Sequence, residues 1–495
     1  MGDLLLGIDI GTSSSKGVLV RPTGEVVARA TRPHEMALPR PGWAEHDAEA
    51  VWWADFTALC AALLPQAASG IAAVCVSGIG PCLLPADAEG RPLRPAILYG
   101  IDTRATREIE ELTAQYGADT ILARCGSLLT SQAVGPKLAW LRRNEPDVWA
   151  RTRYFFMANS FVTYRLTGEY VLDQHSASQC DPLYDMQTNS WIPEWAAEIA
   201  PGLELPRLLW PAEIAGTVTA AAAQATGIPA GTPVATGTID AWAEAASVGV
   251  REPGDLMLMY GTTLFLVEVV TQPRPHRALW STAGIFAGTY SLAAGMATSG
   301  ALTAWLQDIA GDLSYETLLR EAAAVAPGSD GLVVLPYFAG ERTPIFDPRA
   351  RGVICGLTLS HGRGHLYRAL LEATGYGLRH IFEAMRDAGG GGKRLVAVGG
   401  GTQGGLWTQI VSSVTGRDQV IPSETIGASY GDALLAAIAV GLAAPDAEWN
   451  PPAAIVRPDP AAQEVYNRLY PIFRDLYPAT REAAHALADM QTAGG

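Results

Sequence analysis

Two short segments, far apart in the chain, set the terms for the fold. The first is LLLGIDIGTSSSKGVLV, residues 4–20, and the second is DLMLMYGTTLFLVEVV, residues 255–270. Each reads as an apolar strand that stops at Gly-Thr and a further hydroxyl, then returns as a second apolar strand. The same event at two places points to two domains of related architecture that face one another. The shared stretch is too short to establish duplication. Length agrees with two domains, because 495 residues exceed what a single hydrophobic core usually supports. We place the boundary near residue 245, with 1–244 as the first domain and 245–495 as the second. A last helix, from about residue 460, can pack on either domain, including back on the first.

The other elements follow the α/β pattern. After the opening hairpin, a turn at 22–25 leads to a third strand, VVARATR, so the sheet begins antiparallel. The segment from Asp47 is helical, with Asp47 as cap and Val51, Phe56, Leu59 and Leu63 at helical spacing. IAAVCVSG (71–78) is a fully apolar strand, and strand–helix–strand order indicates layered α/β architecture. Helices are expected at about 103–116, 134–143, 158–166 and 363–387. TAAAAQATG is a short helix, GIPAGTPVATGTIDAWAEAASVGV a loop, strand and Ala-rich helix, and GASYGDALLAAIAVG a small-residue helix. DAGGGGK is expected as a flexible link into the strand RLVAVGG.

Composition excludes some partners. A formal net charge of −15 favours solubility and gives no reason to expect nucleic acid. It does not forbid an anionic substrate, since a local field can oppose the net charge. The start MGDLLLGIDIG lacks the basic and long apolar regions of a secretory signal, and position 6 is Leu where myristoylation wants Ser or Thr. No apolar window is long enough to span a membrane without polar interruption. We therefore expect no membrane association and a cytoplasmic location. Six cysteines, at 60, 75, 82, 125, 180 and 355, form no CxxC and no cluster with histidine. They are expected as buried reduced thiols.

Several residues can carry chemistry. Asp9 ends a buried strand, where an acid needs hydrogen bonds or a cation. It reads either as a cation-holding acid beside phosphates or as a cap on the Gly11 and Thr12 amides. Gly11, Thr12, Ser13 and Ser14 offer amides and hydroxyls that can form a nest for phosphoryl oxygens, and Lys16 adds a point charge. The spacing is not that of a Walker loop. Gly261, Thr262 and Thr263 offer a second donor set. Asp240, in VATGTIDAWAEA, lies at a strand-to-helix junction among small neighbours. It can take a proton from an attacking hydroxyl, cap the helix, or do both. Gly78, Ile79 and Gly80, with Asp102 and Arg104, read as contacts to a polyol, or the last two as a simple ion pair. Trp43 reads as a wall for that ligand or as core. Gly400, Gly401 and Thr402 follow an apolar strand and allow close approach of a flat ligand, or make only a tight turn. The histidines show no metal-ligand spacing.

Together these segments resemble the FGGY family of carbohydrate kinases, within the two-lobed actin-like and hexokinase-like ATPases. The resemblance runs over nearly the whole chain. GIDIGTSSSKGVLV resembles the first phosphate loop, MYGTTLF the second, and GTIDAWAEA the segment with the general-base aspartate. KLAWLRRNEPDVW and FVTYRLTGE resemble a further block. GERTPIFDPRARGVICGLTLSHGRGHLYRALLEATGYGLR resembles the long C-terminal signature, and VGGGTQGGLWTQIVSSVTG the adenosine-binding region. The resemblance implies an α/β fold of two ribonuclease H-like lobes with the active site in the cleft, the first lobe binding sugar and the second nucleotide. It implies ATP and Mg2+ as cofactors and γ-phosphoryl transfer to a sugar hydroxyl. Asp240 is then the base and a substrate contact, and Asp9 helps hold magnesium. The loops at Thr12 and Thr262 grip phosphates, and Gly400 and Gly401 line the nucleotide. Dimers are common among such enzymes, but no patch in the text identifies one.

Departures from the family pattern concern the sugar. Where xylulokinases carry Gln-Met-His-Gly and glycerol kinases Gln-Arg-Glu, this chain has Ile79, Gly80 and Pro81 after Ser77-Gly78. Gly100 replaces the Trp of Trp-x-Asp-x-Arg, and Asn159 replaces the Asp of another block. The overall likeness is nearer xylulokinase, so the expected acceptor is a ketopentose such as D-xylulose. The alternatives are another polyol, a sugar acid or a related hydroxylated metabolite, and, in a different class, a non-catalytic nucleotide-binding protein on the same scaffold.

Overall fold

The computed structural model describes residues 2–493. Its first sheet is built from β1 (Leu4–Ile10), β2 (Ser14–Val20), β3 (Val26–Pro33), β4 (Ile71–Gly78), β5 (Ile214–Thr217) and β6 (Pro233–Ala235). The strand order is β5-β6-β4-β1-β2-β3. β1, β2 and β3 form the antiparallel meander expected from the turns, whereas β1, β4 and β6 run parallel. β1 is buried along its whole length. Leu4, Leu6, Ile8 and Ile10 enter one apolar cluster, with Trp52, Phe56 and Leu59, and Leu5 enters another on the opposite face. A strand covered on both faces needs this uniformly apolar composition.

α1 (Ala54–Leu63) covers the first of these faces, after a wide π turn over Ala48–Trp53. Asp47 starts it, accepting the Glu49 and Ala50 amides at 2.9 Å each.

The second sheet repeats the plan. It contains β7 (Asp255–Tyr260), β8 (Leu264–Val270), β9 (Trp280–Ala283), β10 (Tyr290–Met296), β11 (Arg394–Val398), β12 (Gln419–Pro422) and β13 (Pro452–Val456). Their order is β9-β10-β8-β7-β11-β12-β13. β7, β8 and β10 are antiparallel neighbours, β7, β11 and β12 are parallel, and β13 closes the edge antiparallel. Apart from the added β9, this is the pairing of the first sheet, strand for strand. The two Gly-Thr hairpins therefore occupy equivalent places, between β1 and β2 and between β7 and β8.

Two helices cross between the halves. α2 (Asp240–Ser247) follows β6, yet its Trp242 indole donates to Ser291 Oγ of β10 at 3.0 Å and meets Phe265 of β8 at 5.7 Å between ring centroids. Further along lie α3 (Gly300–Ile309), α4 (Arg363–Asp387) and α5 (Leu406–Thr415). α6 (Ala428–Ala439) follows β12 but packs on the first sheet, against β1, β2 and β4. Ser77 at the end of β4 donates to Asp432 of α6 at 2.6 Å. Two glycines make this passage possible. A Cβ on Gly7 would stand 2.0 Å from the Ser429 carbonyl, and one on Gly431 would stand 1.8 Å from the Ala243 carbonyl of α2. α6 thus belongs to the first sheet by packing, although it lies far beyond residue 245 in the chain.

Three expectations change. The last helix, α7 (Pro460–Ala493), packs on α4 and α5 of the second half and adds Ala462, Tyr466, Tyr470 and Phe473 to its core. It does not return to the first domain, because the buried Arg368–Glu372 pair of α4 holds the Tyr466 hydroxyl at 3.0 Å. The glycine-rich link is anchored, since the Gly391 and Gly392 amides donate to the buried Glu268 carboxylate. Five cysteines are buried and free, but Cys355 is exposed on a short two-stranded ribbon. Among the described residues no helix is long and apolar enough to cross a membrane.

Candidate active site

The cleft between the sheets holds a cavity of about 500 Å³. Its walls come from both hairpin turns, from the ends of β4 and β11, and from the first turns of α2 and α6. Of the residues singled out in the sequence, Asp9, Gly11, Thr12, Ser13, Ser14, Lys16, Ile79, Gly80, Asp240 and Thr263 line it. Asp9 and Lys16 are register partners across the first hairpin, so their side chains share a face. Lys16 thereby faces the cavity.

The two turns have matching backbones. Gly11 N–H donates to Ser14 O at 3.2 Å, and Gly261 N–H donates to Thr263 O at 3.0 Å. In the second turn the carbonyls of Gly261 and Thr262 accept amides from Ser299, Gly300 and Ala301 at the start of α3, at 2.9–3.1 Å. With their carbonyls engaged from behind, the turns are left to present amides and hydroxyls forward, which is the geometry of an anion nest.

Asp240 opens α2, with Ile239 in the cap position, and its Oδ1 accepts the Ala241 amide at 2.7 Å. The preceding Thr238 donates to Asp173 at 2.8 Å, which fixes the turn that carries Asp240. Asn159, the departure noted above, donates to the same Asp173 at 3.1 Å. It is part of the scaffold behind Asp240 and stays out of the cavity.

Residues 4–249 match the FGGY family of carbohydrate kinases, N-terminal domain, and residues 256–440 match its C-terminal domain. The chain belongs to the FGGY family. A crystal structure of xylulose kinase from Rhodospirillum rubrum superposes with a TM-score of 0.89 at 33% identity, covering 97% of this chain and 100% of the other. Xylulose kinase of Escherichia coli (strain K12) is 30% identical over 443 residues, 88% of this chain and 90% of that one. Glycerol kinase of Nocardia farcinica (strain IFM 10152) is also 30% identical, over 459 residues, 88% of this chain and 89% of that one. This FGGY protein is accordingly an ATP-dependent carbohydrate kinase, closely related to xylulose-kinase-like members and built on the two-lobed ribonuclease H-like fold.

Several expected contacts lie elsewhere in this kinase. Asp102 and Arg104 are internal: Arg104 pairs with Asp102 at 2.7 Å and Glu45 at 2.8 Å, with neither the Arg104 nor the Asp102 side chain exposed. Asp102 also accepts the Ala44 amide at 2.8 Å, and the guanidinium lies 3.9 Å over Trp43. These residues brace the cavity's support and do not reach its wall, so the ion-pair reading describes them better than polyol contact. Trp43 is spent on Arg104 and Trp140. Gly78 lies behind the wall, where a Cβ would stand 2.7 Å from Ala158 Cβ. Gly261 and Thr262 flank the lining residue Thr263. Gly399 lines the cavity, while Gly400, Gly401 and Thr402 form the next turn. No atom lies within 4 Å of a Cβ built on Gly400, whereas Gly401 packs on Trp407 and Tyr260.

The cavity also gathers residues that sequence reasoning missed. Tyr99, Gln132, Gln179, Asp181, Trp280 and Arg342 come from five separate segments, Gln179 and Asp181 sharing one. Arg342 had a signal inside the GERTP stretch, and Tyr99 opens YGIDTRA, the segment that carries Asp102 and Arg104. Asp181 is buried with Oδ1 unpartnered, and burial raises its carboxyl well above the usual range. A neutral Asp181 is a hydrogen-bond donor.

The site is crowded with acids. Burial raises Asp9 to about 6, against the opposing pull of Lys16 and His34. Burial, then the Asp9 charge, raises Asp240 well above the usual range and Glu244 to about 7. Asp9 Oδ1 is buried without a hydrogen-bond partner. Unpaired, mutually repelling carboxylates beside an anion nest fit a divalent cation. Among the described residues no group of three or more His, Cys, Asp and Glu is arranged to hold a metal alone. Magnesium matches that arrangement, because it keeps waters and phosphate oxygens and takes one or two protein carboxylates.

Proposed function

We propose that this kinase phosphorylates a hydroxyl of a ketopentose of the D-xylulose type, with Asp240 as general base. The observation that carries the reading is Asp240 itself, at the junction of cavity, anion nest and α2 N-terminus. The first turn (Gly11, Thr12, Ser13, Ser14, with Lys16) and the second (Gly261, Thr262, Thr263) hold the ATP phosphates from opposite lobes. The turn at Gly400, Gly401 and Thr402 faces the nucleoside. Ile79, with Gly80 packed against Ile239, shapes the acceptor side next to Asp240. Gln132, Gln179 and Asp181 supply donors and acceptors for adjacent hydroxyls there.

Asp9 is the carboxylate that holds Mg2+, with Asp240 and Glu244 near enough to sense its charge. Bound there, the ion neutralises phosphate charge and favours the ionised form of the neighbouring carboxyls. Asp240 accepts the hydroxyl proton as the oxygen attacks in line. Lys16 offsets charge on the phosphoryl oxygens. Closure of the lobes excludes water, the competing acceptor.

One observation favours a second acceptor class. Arg342 lines the cavity without an ion-pair partner among the described residues, and its charge reaches the Tyr99 hydroxyl beside Asp240. An unengaged guanidinium suits a carboxylate, so a sugar acid is the second reading. The experiment is ADP release over a panel of ketopentoses, alditols and aldonates, repeated with Arg342→Met. D-Xylulose with the highest kcat/KM, little altered by R342M, is the expected result. An aldonate whose advantage vanishes in R342M would establish the second reading, and no acceleration by any acceptor would sink both.

A further inference from the structure

The carbonyls of the second phosphate turn are engaged by backbone amides of α3, but the first turn is engaged by a side chain as well as by backbone. His34, just beyond β3, donates its own N–H to Ser13 O at 3.0 Å. Its ring lies between Gly11 and Asp55. Nδ1 is 2.7 Å from Asp55 Oδ2, and Nε2 is 3.1 Å from Gly11 O.

The chemistry of the two partners sets the state of the ring. A backbone carbonyl only accepts, so Nε2 must carry a proton to bond Gly11. Asp55 is paired with Arg32 at 2.5 Å and accepts the Ser15 hydroxyl at 2.8 Å, which marks it as the ionised acceptor. Nδ1 must therefore carry a proton as well. A ring with both nitrogens protonated is an imidazolium. We infer that His34 is a positioning residue that holds the first phosphate turn through its charged ring, turning the turn's carbonyls away from the nucleotide and adding a cation behind its amides. Removing either proton would set a ring lone pair against an oxygen lone pair and release one end of the clamp.

The surroundings agree with this assignment. Arg32 from β3 and Asp55 from α1 face the ring on one side, and Asp9 of β1 senses its charge from the other. His46 meets it edge-on at 5.1 Å between centroids. The His46 Nδ1 accepts the Trp52 indole proton at 3.1 Å, so that ring is neutral with its proton on Nε2. Burial, then the charge of His34, lowers His46 to about 4. Two touching histidines are thus held in opposite states. The consequence is asymmetric: the second turn is tied by backbone amides, and the first by a ring that must keep both of its protons.

This inference rests on the assignment of the first turn to nucleotide phosphates. The test uses the full-length chain labelled with [15N]histidine, with His34→Gln to identify the resonance. At pH 7 both His34 ring nitrogens are expected to be protonated, and a single neutral tautomer would overturn the proposal. ADP affinity is then measured by calorimetry as pH rises across neutrality. Wild type is expected to lose about tenfold, the scale of one charge-assisted hydrogen bond. H34Q should be weaker by about as much at low pH and lose less than wild type over the same range. A merely structural histidine would give wild type and H34Q the same pH profile of ADP affinity, and that result also overturns the proposal. The ring-nitrogen measurement stands even if H34Q fails to fold, with His34→Asn used to identify the resonance. Absence of ADP binding by wild type at every pH would remove the nucleotide assignment on which the inference depends. A profile shared by H34Q and a binding wild type removes the inference alone.

Discussion

Asp9 and Lys16 stand opposite one another across the first hairpin, one the last acid of a buried strand and the other the cation of its returning partner. The lysine moderates the acid without satisfying it, since Asp9 Oδ1 remains buried and unpartnered. The hairpin is thereby left with a negative site waiting for a counter-charge.

The first prediction is a pH dependence of stability. Asp9 is raised to about 6 and Glu244 to about 7, both above their unfolded values. Between each unfolded value and its folded value, the folded state binds more protons than the unfolded one. Stability contributed by these groups therefore falls as pH rises through about 4 to 7. Thermal unfolding should show Mg–ADP raising Tm more at pH 7.5 than at pH 5. Equal shifts at both pH values would mean that these acids do not face the ligand's cation.

Replacing Asp9 should separate stability from function. Asp9→Asn removes a penalised charge, so the nucleotide-free protein at pH 8 should unfold at or above the wild-type Tm. Phosphoryl transfer should fall about 100-fold or more, on the scale of losing one preorganised electrostatic group. A Tm drop of several degrees with activity retained would contradict the cation-holding assignment.

Asp240→Asn tests the base. Proton acceptance by a positioned side chain contributes about 10²–10⁴-fold, so kcat should fall within that range while the KM for ATP stays near wild type. Steady-state kinetics with the best acceptor reads both. Turnover within about tenfold of wild type would assign proton acceptance to another group.

Arg104→Met distinguishes a brace from a contact. Its guanidinium is buried against Asp102 and Glu45, and breaking such a pair from one side costs about 3–5 kcal/mol. Denaturant unfolding should show a loss of this order, with the acceptor KM of the folded enzyme unchanged. A large KM effect at wild-type stability would return Arg104 to the acceptor site.

Much of the scaffold could be read from the chain because its signals are local. The β1–β2 and β7–β8 hairpins, the strand at 71–78 and the long helix α4 all follow from periodicity and punctuation that lie within a few residues of each other. Asp9, Asp240 and the Gly-Thr turns were legible for the same reason: acid and glycine directly follow apolar strands. The acceptor wall was not. Gln179 and Asp181 meet Arg342 only through tertiary packing, and nothing local in either segment announces the meeting. Asp102 and Arg104 misled in the opposite way, because an Asp-x-Arg pair looks alike whether its charges face a ligand or Glu45. Burial separates the two cases, and burial is a property of the whole fold.

The crossed placement of α2 and α6 bears on how this enzyme can be made and cut. The family's N-terminal unit ends at residue 249 and its C-terminal unit starts at residue 256. A gene split there would leave β1 and β4 without the helix that covers one of their faces, and would leave α2 without the strands that hold Trp242. Each fragment would carry the lid of the other's core and expose its own. Complementation of the two pieces, and not independent folding of either, is what such an arrangement allows.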